Sequence, residues 1–555
     1  MSRDDDSKAL LEGPALKTTD QADSIIEVIE HACERFADHA AFSCLGRTLY
    51  YRELDRLTRR FATWLIEETP LEPGDRFAVV LPNILQYPVA VFGALRAGLV
   101  IVNTNPLYSA DEMHHQFEDA GVRGVLVFEG MLNRVRQVLE RRPLACVVTT
   151  GIADLHQTPR RWALQLGMRW KARGRHEPAI PGSVSMRHTL RGALDRPASQ
   201  EQPCWGRGDD PAVLQYTGGT TGTPKGAILT HRNLIANMRQ TGQVLSDVLE
   251  VGREVIIAPL PVYHIYTFTV NCMFGCETGN HSVLIPDPRD MKRFIRTLKK
   301  QPFSAFIGVN PLFAALCRQK AFCQLDFSRL KLSVSGGMAL NNTVAERWEQ
   351  ATGCRVLEGY GMTETSPVVC VNPPDDMRPG YIGRPVADTS LRVVDDEGRT
   401  LGYDEPGELC VKGPQVMAGY WCCKEEKAFD ADGWLHSGDI AVLSRDGFVR
   451  IVDRKKDMIV TSGFNVYPNE VEEVLTAHPQ VSEAAVIGMP DEESGERVQA
   501  YIVARSDQLD AETLRKWCRE RLTGYKVPRS FEFRHDLPRN NVGKILRRSL
   551  RDESL

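Results

Sequence analysis

The stretch AVLQYTGGTTGTPKGAILT, residues 212–230, constrains this chain more than any other. An apolar run enters it, and the eleven residues from Tyr216 to Gly226 then hold four glycines, four threonines, one proline and Lys225. Such a run reads as a buried strand that opens into a loop. Glycines let backbone N–H groups turn toward an anion, threonine hydroxyls add donors, and Lys225 adds positive charge. This is chemistry for holding phosphate. It differs from the usual nucleotide P-loop, where Lys is followed by Ser or Thr; here Pro224 precedes Lys225 and Gly226 follows it.

At 555 residues the chain exceeds one hydrophobic core, and length predicts two to four folding units. A formal net charge of −4 gives no global attraction to nucleic acid, so anion binding must be local and no nucleic-acid partner is expected. The fourteen cysteines show no metal-ligand spacing and no C-x-x-C. An acidic, polar N-terminus is unlike a secretory signal, which points to reduced thiols and a cytoplasmic location. No uncharged run reaches the ~18 residues a spanning helix needs.

Apolar periodicity at Ile25, Val28, Ile29, Ala32 and Phe36 predicts helix within residues 25–69. Strand-like and helix-like segments then alternate: RFAVVLP (76–82), residues 88–98, LVIVNTN (99–105), GVLVF (124–128), EVIIAPLP (254–261) and LKLSVSGG (330–337). That alternation predicts α/β layering on mostly parallel sheets. After Pro406 short strands and Gly turns suggest a small β subdomain. The last hundred residues read as an α+β unit, with helices at 470–478 and 511–522 and strands at 484–490 and 498–504. DRKKDM (453–458), between two strand-like runs, reads as either a hairpin turn or a hinge.

Six further motifs follow in order: APLPVYHIYTF (258–268), EGYGMTET (358–365), GWLHSGDIA (433–441), RIVDRKKD (450–457), SGFNVYP (462–468) and NNVGKILRRSL (540–550). Together with the glycine-rich loop they resemble the adenylate-forming enzymes: acyl-CoA synthetases, peptide-synthetase adenylation domains and luciferases. Among these the likeness is greatest to bacterial long-chain fatty-acid–CoA ligases. The resemblance implies two α/β layered subdomains and a small β subdomain in residues 1–453, with a mobile α+β domain in 454–555. It implies ATP and CoA as co-substrates, Mg2+ as cofactor, and a fatty acid joined to CoA through an acyl-AMP.

The roles it implies are specific. Thr217, Gly218, Gly219, Thr220, Thr221, Gly222 and Lys225 would cradle the triphosphate. Glu364 and Thr217 would serve the metal, Thr363 a phosphate, and Tyr360 the adenine. Asp439 and Arg454 would hold the ribose. Lys544 would be the catalytic lysine of the adenylation step, and Lys456 the hinge of a domain rotation. That rotation would withdraw Lys544 and bring Gly463 to the pantetheine arm; alternatively, Gly463 simply ends a strand. His264 would sit near the carboxylate or be a satisfied core histidine. Tyr266 or Phe268 would gate an acyl tunnel that Gly336 and Gly337 help to line. Arg547 and Arg548 remain surface residues or partners for CoA phosphates.

Amino-acid-activating relatives carry an aspartate where this chain has Ile265, and an unpaired ammonium there would cost several kcal/mol, so an amino-acid substrate is not expected. A carrier-protein or aryl-acid ligase is the enzymatic alternative, and a nucleotide- or lipid-binding protein the non-enzymatic one. The oligomeric state stays open, with a dimer as one option. Residues 159–176 (PRRWALQLGMRWKARGRH) hold six Lys or Arg and no acid, with Trp162, Leu166 and Trp170 at helical spacing. They read either as a peripheral membrane contact or as a surface insertion.

Overall fold

The computed structural model describes residues 8–17, 22–171, 179–191, 206–217, 224–422, 428–491, 494–506, 508–539 and 544–553. Two sheets dominate. In the first, seven strands run in the order Gly226–Thr230, Pro211–Tyr216, Val100–Asn103, Arg76–Val80, Val122–Phe128, Cys146–Thr150, Val184–Ser185. All pair in parallel except Gly226–Thr230, which returns antiparallel beside Pro211–Tyr216. The second sheet has nine strands. Its centre runs parallel through Val356–Gly361, Leu332–Ser335, Ala305–Gly308, Val255–Ala258, His281–Leu284 and Ala40–Cys44.

Strand periodicity explains the layering. In Arg76–Val80, Phe77 and Val79 face one core while Ala78 and Val80 face another. Likewise Ala305 and Ile307 face the central core, and Phe306 points into a third. Strands covered on both faces read as continuous apolar runs. Helices Tyr51–Glu68, Gln86–Arg96 and His231–Leu245 share the core that joins the two sheets. Ala110–Asp119 and Leu132–Arg141 cover the outer face of the first sheet. Met291–Lys300, Asn310–Cys317 and Asn342–Thr352 cover the second, around a fully buried Trp348. That indole stacks edge-on to Phe313 at 4.6 Å and donates to Ser333 Oγ at 3.0 Å. Each such buried aromatic contributes roughly 2–3 kcal/mol by area alone.

Residues 25–69 do not form continuous helix. Helix Ile25–Arg35 is followed by the hairpin Ala40–Cys44 and Arg47–Tyr50, and helix resumes at Tyr51–Glu68. Leu45 and Gly46 turn it with φ of 49° and 74°, and its first strand extends the second sheet. Sheet pairing overrode the helical reading.

A third, antiparallel sheet joins Leu10–Glu12, Ser390–Val394, Gly407–Lys412, Leu435–Leu443 and Val449–Arg454 around its own apolar core. Beyond it lies the C-terminal α+β unit. There Val481–Asp491, Gly495–Ala504, Ile459–Thr461, Phe464–Val466 and Ser530–Phe533 form one sheet backed by helices Pro468–Thr476 and Ala511–Arg519. Within DRKKDM (453–458), Asp453 and Arg454 end a strand of the third sheet and Lys455–Asp457 form one tight helical turn leading to this unit. Among the described residues, no helix is long and apolar enough to cross a membrane.

Candidate active site

Several site segments begin where parallel strands end, the usual position for ligands in open α/β sheets. Strand Pro211–Tyr216 and its antiparallel partner close the base of the glycine-rich loop. Thr217 N donates to Lys225 O at 2.9 Å, and Tyr216 Oη donates to the Asp119 carboxylate. Gly218, Gly219, Thr220, Thr221 and Gly222 lie outside the described residues. Lys225 Nζ lies 5.7 Å from the centroid of the Tyr420 ring. The Tyr420 hydroxyl donates to Glu364 Oε1 at 2.8 Å. Tyr420 thus links the loop lysine to the carboxylate expected to serve a metal.

Glu364 sits in the short turn Thr363–Thr365 and is only 8% exposed. Segment 417–421 runs beside strand Gly226–Thr230, and Met417 N donates to Glu364 O at 2.8 Å. Gly361 permits the tight chain reversal that carries Glu364: a Cβ there would lie 2.0 Å from Pro367 O. The second carboxylate oxygen of Glu364 retains acceptor capacity, and one hard oxygen beside a polyphosphate suits Mg2+, which keeps several waters. The residues present fit that ion.

The opposite end of the site is a charged cluster. Strand Leu435–Leu443 pairs with Val449–Arg454 so that Asp439 faces Arg454 across the sheet. Asp439 Oδ1 meets Arg454 Nε at 3.2 Å, and Oδ2 accepts the Tyr360 hydroxyl at 2.5 Å. Burial and the Asp439 carboxylate push the Tyr360 phenol far above its ordinary range, so it stays a neutral donor. Lys544, 90 residues along the chain from Arg454, sits in the same electrostatic neighbourhood. Burial, with the Arg454 cation next in weight, lowers its ammonium to about 8. Arg454, Asp439 and Tyr360 are therefore in direct contact, and Lys544 is buried within range of the Arg454 and Asp439 charges.

Toward the second sheet, His264 follows strand Val255–Ala258 and caps the short helix Ile265–Thr267. Its Nδ1 accepts the Tyr266 N–H at 3.4 Å, which leaves the proton of the neutral ring on Nε2. Burial lowers its pKa to about 4, so the ring is a neutral donor at physiological pH. The Tyr266 ring lies against Gly336, where an added Cβ would come within 3.0 Å of it. Tyr266 Oη is buried and has no hydrogen-bond partner among the described residues. Gly337 adopts φ +78° with open space around it. Phe268 is fully buried in the central core and begins the π-helical turn Phe268–Phe274; such turns often accompany functional sites.

On the C-terminal side, Gly463 and Ser462 adopt φ of 81° and 51° between two antiparallel strands. The turn itself requires glycine-like freedom there, whatever else Gly463 does. Lys456 is exposed, and partial desolvation, then the Arg454 cation, lowers its pKa.

Three residues went unassigned or misassigned in the sequence. Tyr420 carries no local signal, because its partners lie 56 residues or more away. Glu358, raised to about 7 by burial, accepts the Leu340 N–H at 3.0 Å and ties down the loop after Gly336-Gly337. Arg547 is no surface residue: its guanidinium contacts Glu472, Asn469, Asp453 and Asp457. Arg548, by contrast, is exposed and pairs only loosely with Asp552 at 3.5 Å.

Comparison with known proteins identifies the family. The family described as AMP-binding enzyme matches residues 29–421, and the AMP-binding enzyme C-terminal domain matches 470–544. The chain is 45% identical to a long-chain-fatty-acid–CoA ligase of Salmonella typhimurium over 545 residues, covering 98% of this chain and 96% of that protein. It is 34% identical to one from Bacillus subtilis, covering 95% and 94%. Among solved structures, ATP-bound MatB from Rhodopseudomonas palustris superposes with a TM-score of 0.82 at 29% identity, covering 95% of this chain and 98% of that one.

Proposed function

Because this chain belongs to the AMP-binding enzyme family, we propose that its site works as follows to join a fatty acid to coenzyme A. The protein is an ATP-dependent fatty-acid–CoA ligase, releasing pyrophosphate and AMP. The observation that supports the residue assignments is the contact of Asp439 with Arg454 and Tyr360, with Lys544 buried within range of the first two charges.

In the first step a carboxylate oxygen attacks the α-phosphorus of ATP and pyrophosphate leaves. Positioning and charge neutralisation lower such a barrier, and no covalent enzyme intermediate is needed. Asp439 accepts from the ribose hydroxyls, supported by Arg454, and the Tyr360 ring offers the adenine a flat apolar face. Residues 217–222 and Lys225 hold the β- and γ-phosphates, with Thr363 nearby. Glu364 and the Thr217 hydroxyl would hold Mg2+, which would neutralise phosphate charge. His264 donates from Nε2 to the fatty-acid carboxylate, a role that a neutral ring can fill. Tyr266 and the Gly336-Gly337 turn border the acyl group; Phe268 supports them from the core. Lys544 bridges carboxylate and α-phosphate.

In the second step the CoA thiol attacks the acyl carbonyl, and AMP and the thiol proton leave. The C-terminal unit, residues 454–555, turns about Lys456 between the steps, removing Lys544 and presenting the Gly463 turn. Hinges of this kind need few residues. The test is product stoichiometry across fatty acids of increasing length: acyl-CoA, AMP and pyrophosphate should form one to one to one. AMP formation without thioester would refute the ligase reading.

The enzyme also binds membrane surfaces peripherally, where its poorly soluble substrate collects. Support comes from helix Arg160–Lys171, where Trp162 and Leu166, four residues apart, are 68% and 71% exposed. Arg160 donates to Gly46 O at 2.9 Å and fastens the start of this helix to the body. Residues 172–176, with two of the six basic side chains, lie outside the described residues. Basic side chains beside exposed apolar ones suit an anionic bilayer, each worth about 1 kcal/mol there. Changing the six basic residues to Gln should reduce salt-sensitive sedimentation with anionic vesicles and leave activity on short soluble acids unchanged. Equal sedimentation of both proteins would remove the membrane role.

A further inference from the structure

Arg547 opens helix Arg547–Asp552, three residues after Lys544. Its Nε and Nη2 fork onto Glu472 at 3.1 and 2.8 Å, and Nη2 also donates to Asn469 Oδ1 at 2.6 Å. Nη1 reaches Asp457 Oδ2 at 3.3 Å and Asp453 Oδ1 at 3.4 Å. Glu472 and Asn469 belong to helix Pro468–Thr476 of the C-terminal unit. Asp453 belongs to strand Val449–Arg454 of the third sheet, and its side chain is completely buried.

Asp453 is held on both oxygens. Arg547 approaches Oδ1, which also accepts the Arg454 N–H at 2.7 Å, while Asn469 N donates to Oδ2 at 2.7 Å. Asn469 Nδ2 also donates to Val452 O at 3.2 Å. A carboxylate with no solvent access needs these donors, because an uncompensated buried charge is strongly unfavourable. The Arg547 guanidinium supplies a positive charge to it, three residues beyond Lys544. Asp457 and Glu472 lie on the same side of Lys456 as Arg547, whereas Asp453 lies on the other. Turning about Lys456 would preserve the first two contacts and break the third.

We infer that Arg547 is a positioning residue: by binding the buried Asp453 across the hinge, it latches the C-terminal unit in the orientation that places Lys544 beside Asp439 and Arg454. The latch opens for the thioester step. This inference rests on the two-orientation reading above.

Arg547→Gln and the milder Asp453→Asn test it, with Lys544→Ala as control. Each variant is assayed separately for acyl-AMP formation from ATP and for thioester formation from supplied acyl-AMP and CoA. Both should lose adenylation, by about tenfold for loss of a charge-assisted contact, and keep thioester formation within about twofold of wild type. A general packing defect would lower both half-reactions together. If Arg547→Gln folds poorly, Asp453→Asn decides alone, since it keeps the size and both side-chain heteroatoms. Equal effects on the two half-reactions, or none, would overturn the latch. If Lys544→Ala is selective while Asp453→Asn is not, only the latch fails. If Lys544→Ala also strikes both steps equally, the two-orientation reading fails with it.

Discussion

Lys544→Ala should reduce acyl-AMP formation by at least about 100-fold, the scale of losing a preorganised charge at a developing oxyanion. Thioester formation from supplied acyl-AMP should change little, because in the proposed mechanism this side chain serves only the adenylating orientation. The ammonium also gives the reaction a pH signature. Burial and neighbouring cations lower it to about 8, so the charged form is complete well below pH 8 and is lost as pH rises through that value. For adenylation, kcat/KM reports the free enzyme and should fall on an alkaline limb near pH 8. Thioester formation from acyl-AMP should show no such limb from this residue. Rapid-quench measurement of each half-reaction checks both points. A comparable loss in both would show that Lys544 acts otherwise.

Glu364→Gln should have the next largest effect. The amide keeps the size of the side chain and can still accept from Tyr420, but it removes one negative charge from a buried hard-oxygen site. Adenylation at low magnesium should fall by roughly 10–100-fold, the range of a lost buried charge interaction. Raising magnesium should restore part of it. Thioester formation from supplied acyl-AMP, which releases no pyrophosphate, should be nearly normal. A magnesium titration of pyrophosphate release measures this, and wild-type rates at low magnesium would exclude Glu364 from metal binding.

How much of this was legible depended on how far each interaction reaches along the chain. The parallel strands were, because strands covered on both faces must be apolar throughout, as in Arg76–Val80 and Val255–Ala258. So was helix Pro468–Thr476, with its proline in the first turn. Residues 40–50 misled: Ala40–Cys44 pairs with His281–Leu284, far away in sequence, and Arg47–Tyr50 folds back onto it. The site divides similarly. Tyr360, Asp439 and Arg454 stand in ordered motifs, and the structure brings them together. Tyr420 and Arg547 could not be read locally: the partners of Arg547 lie 75 to 94 residues away, and a basic tail looks solvated until its carboxylates are found. His264 is intermediate; its position followed from the motif, but its neutrality followed only from burial.

The most direct measurement of the central claim is pyrophosphate release with and without CoA, using purified protein, ATP, magnesium and a long-chain fatty acid. Two successive half-reactions at one site require a burst of about one pyrophosphate per enzyme without CoA, with acyl-AMP retained. Adding CoA should then convert the burst to steady turnover, with acyl-CoA and AMP appearing in equal amounts. Continuous turnover without CoA, or no fatty-acid-dependent pyrophosphate at all, would contradict it.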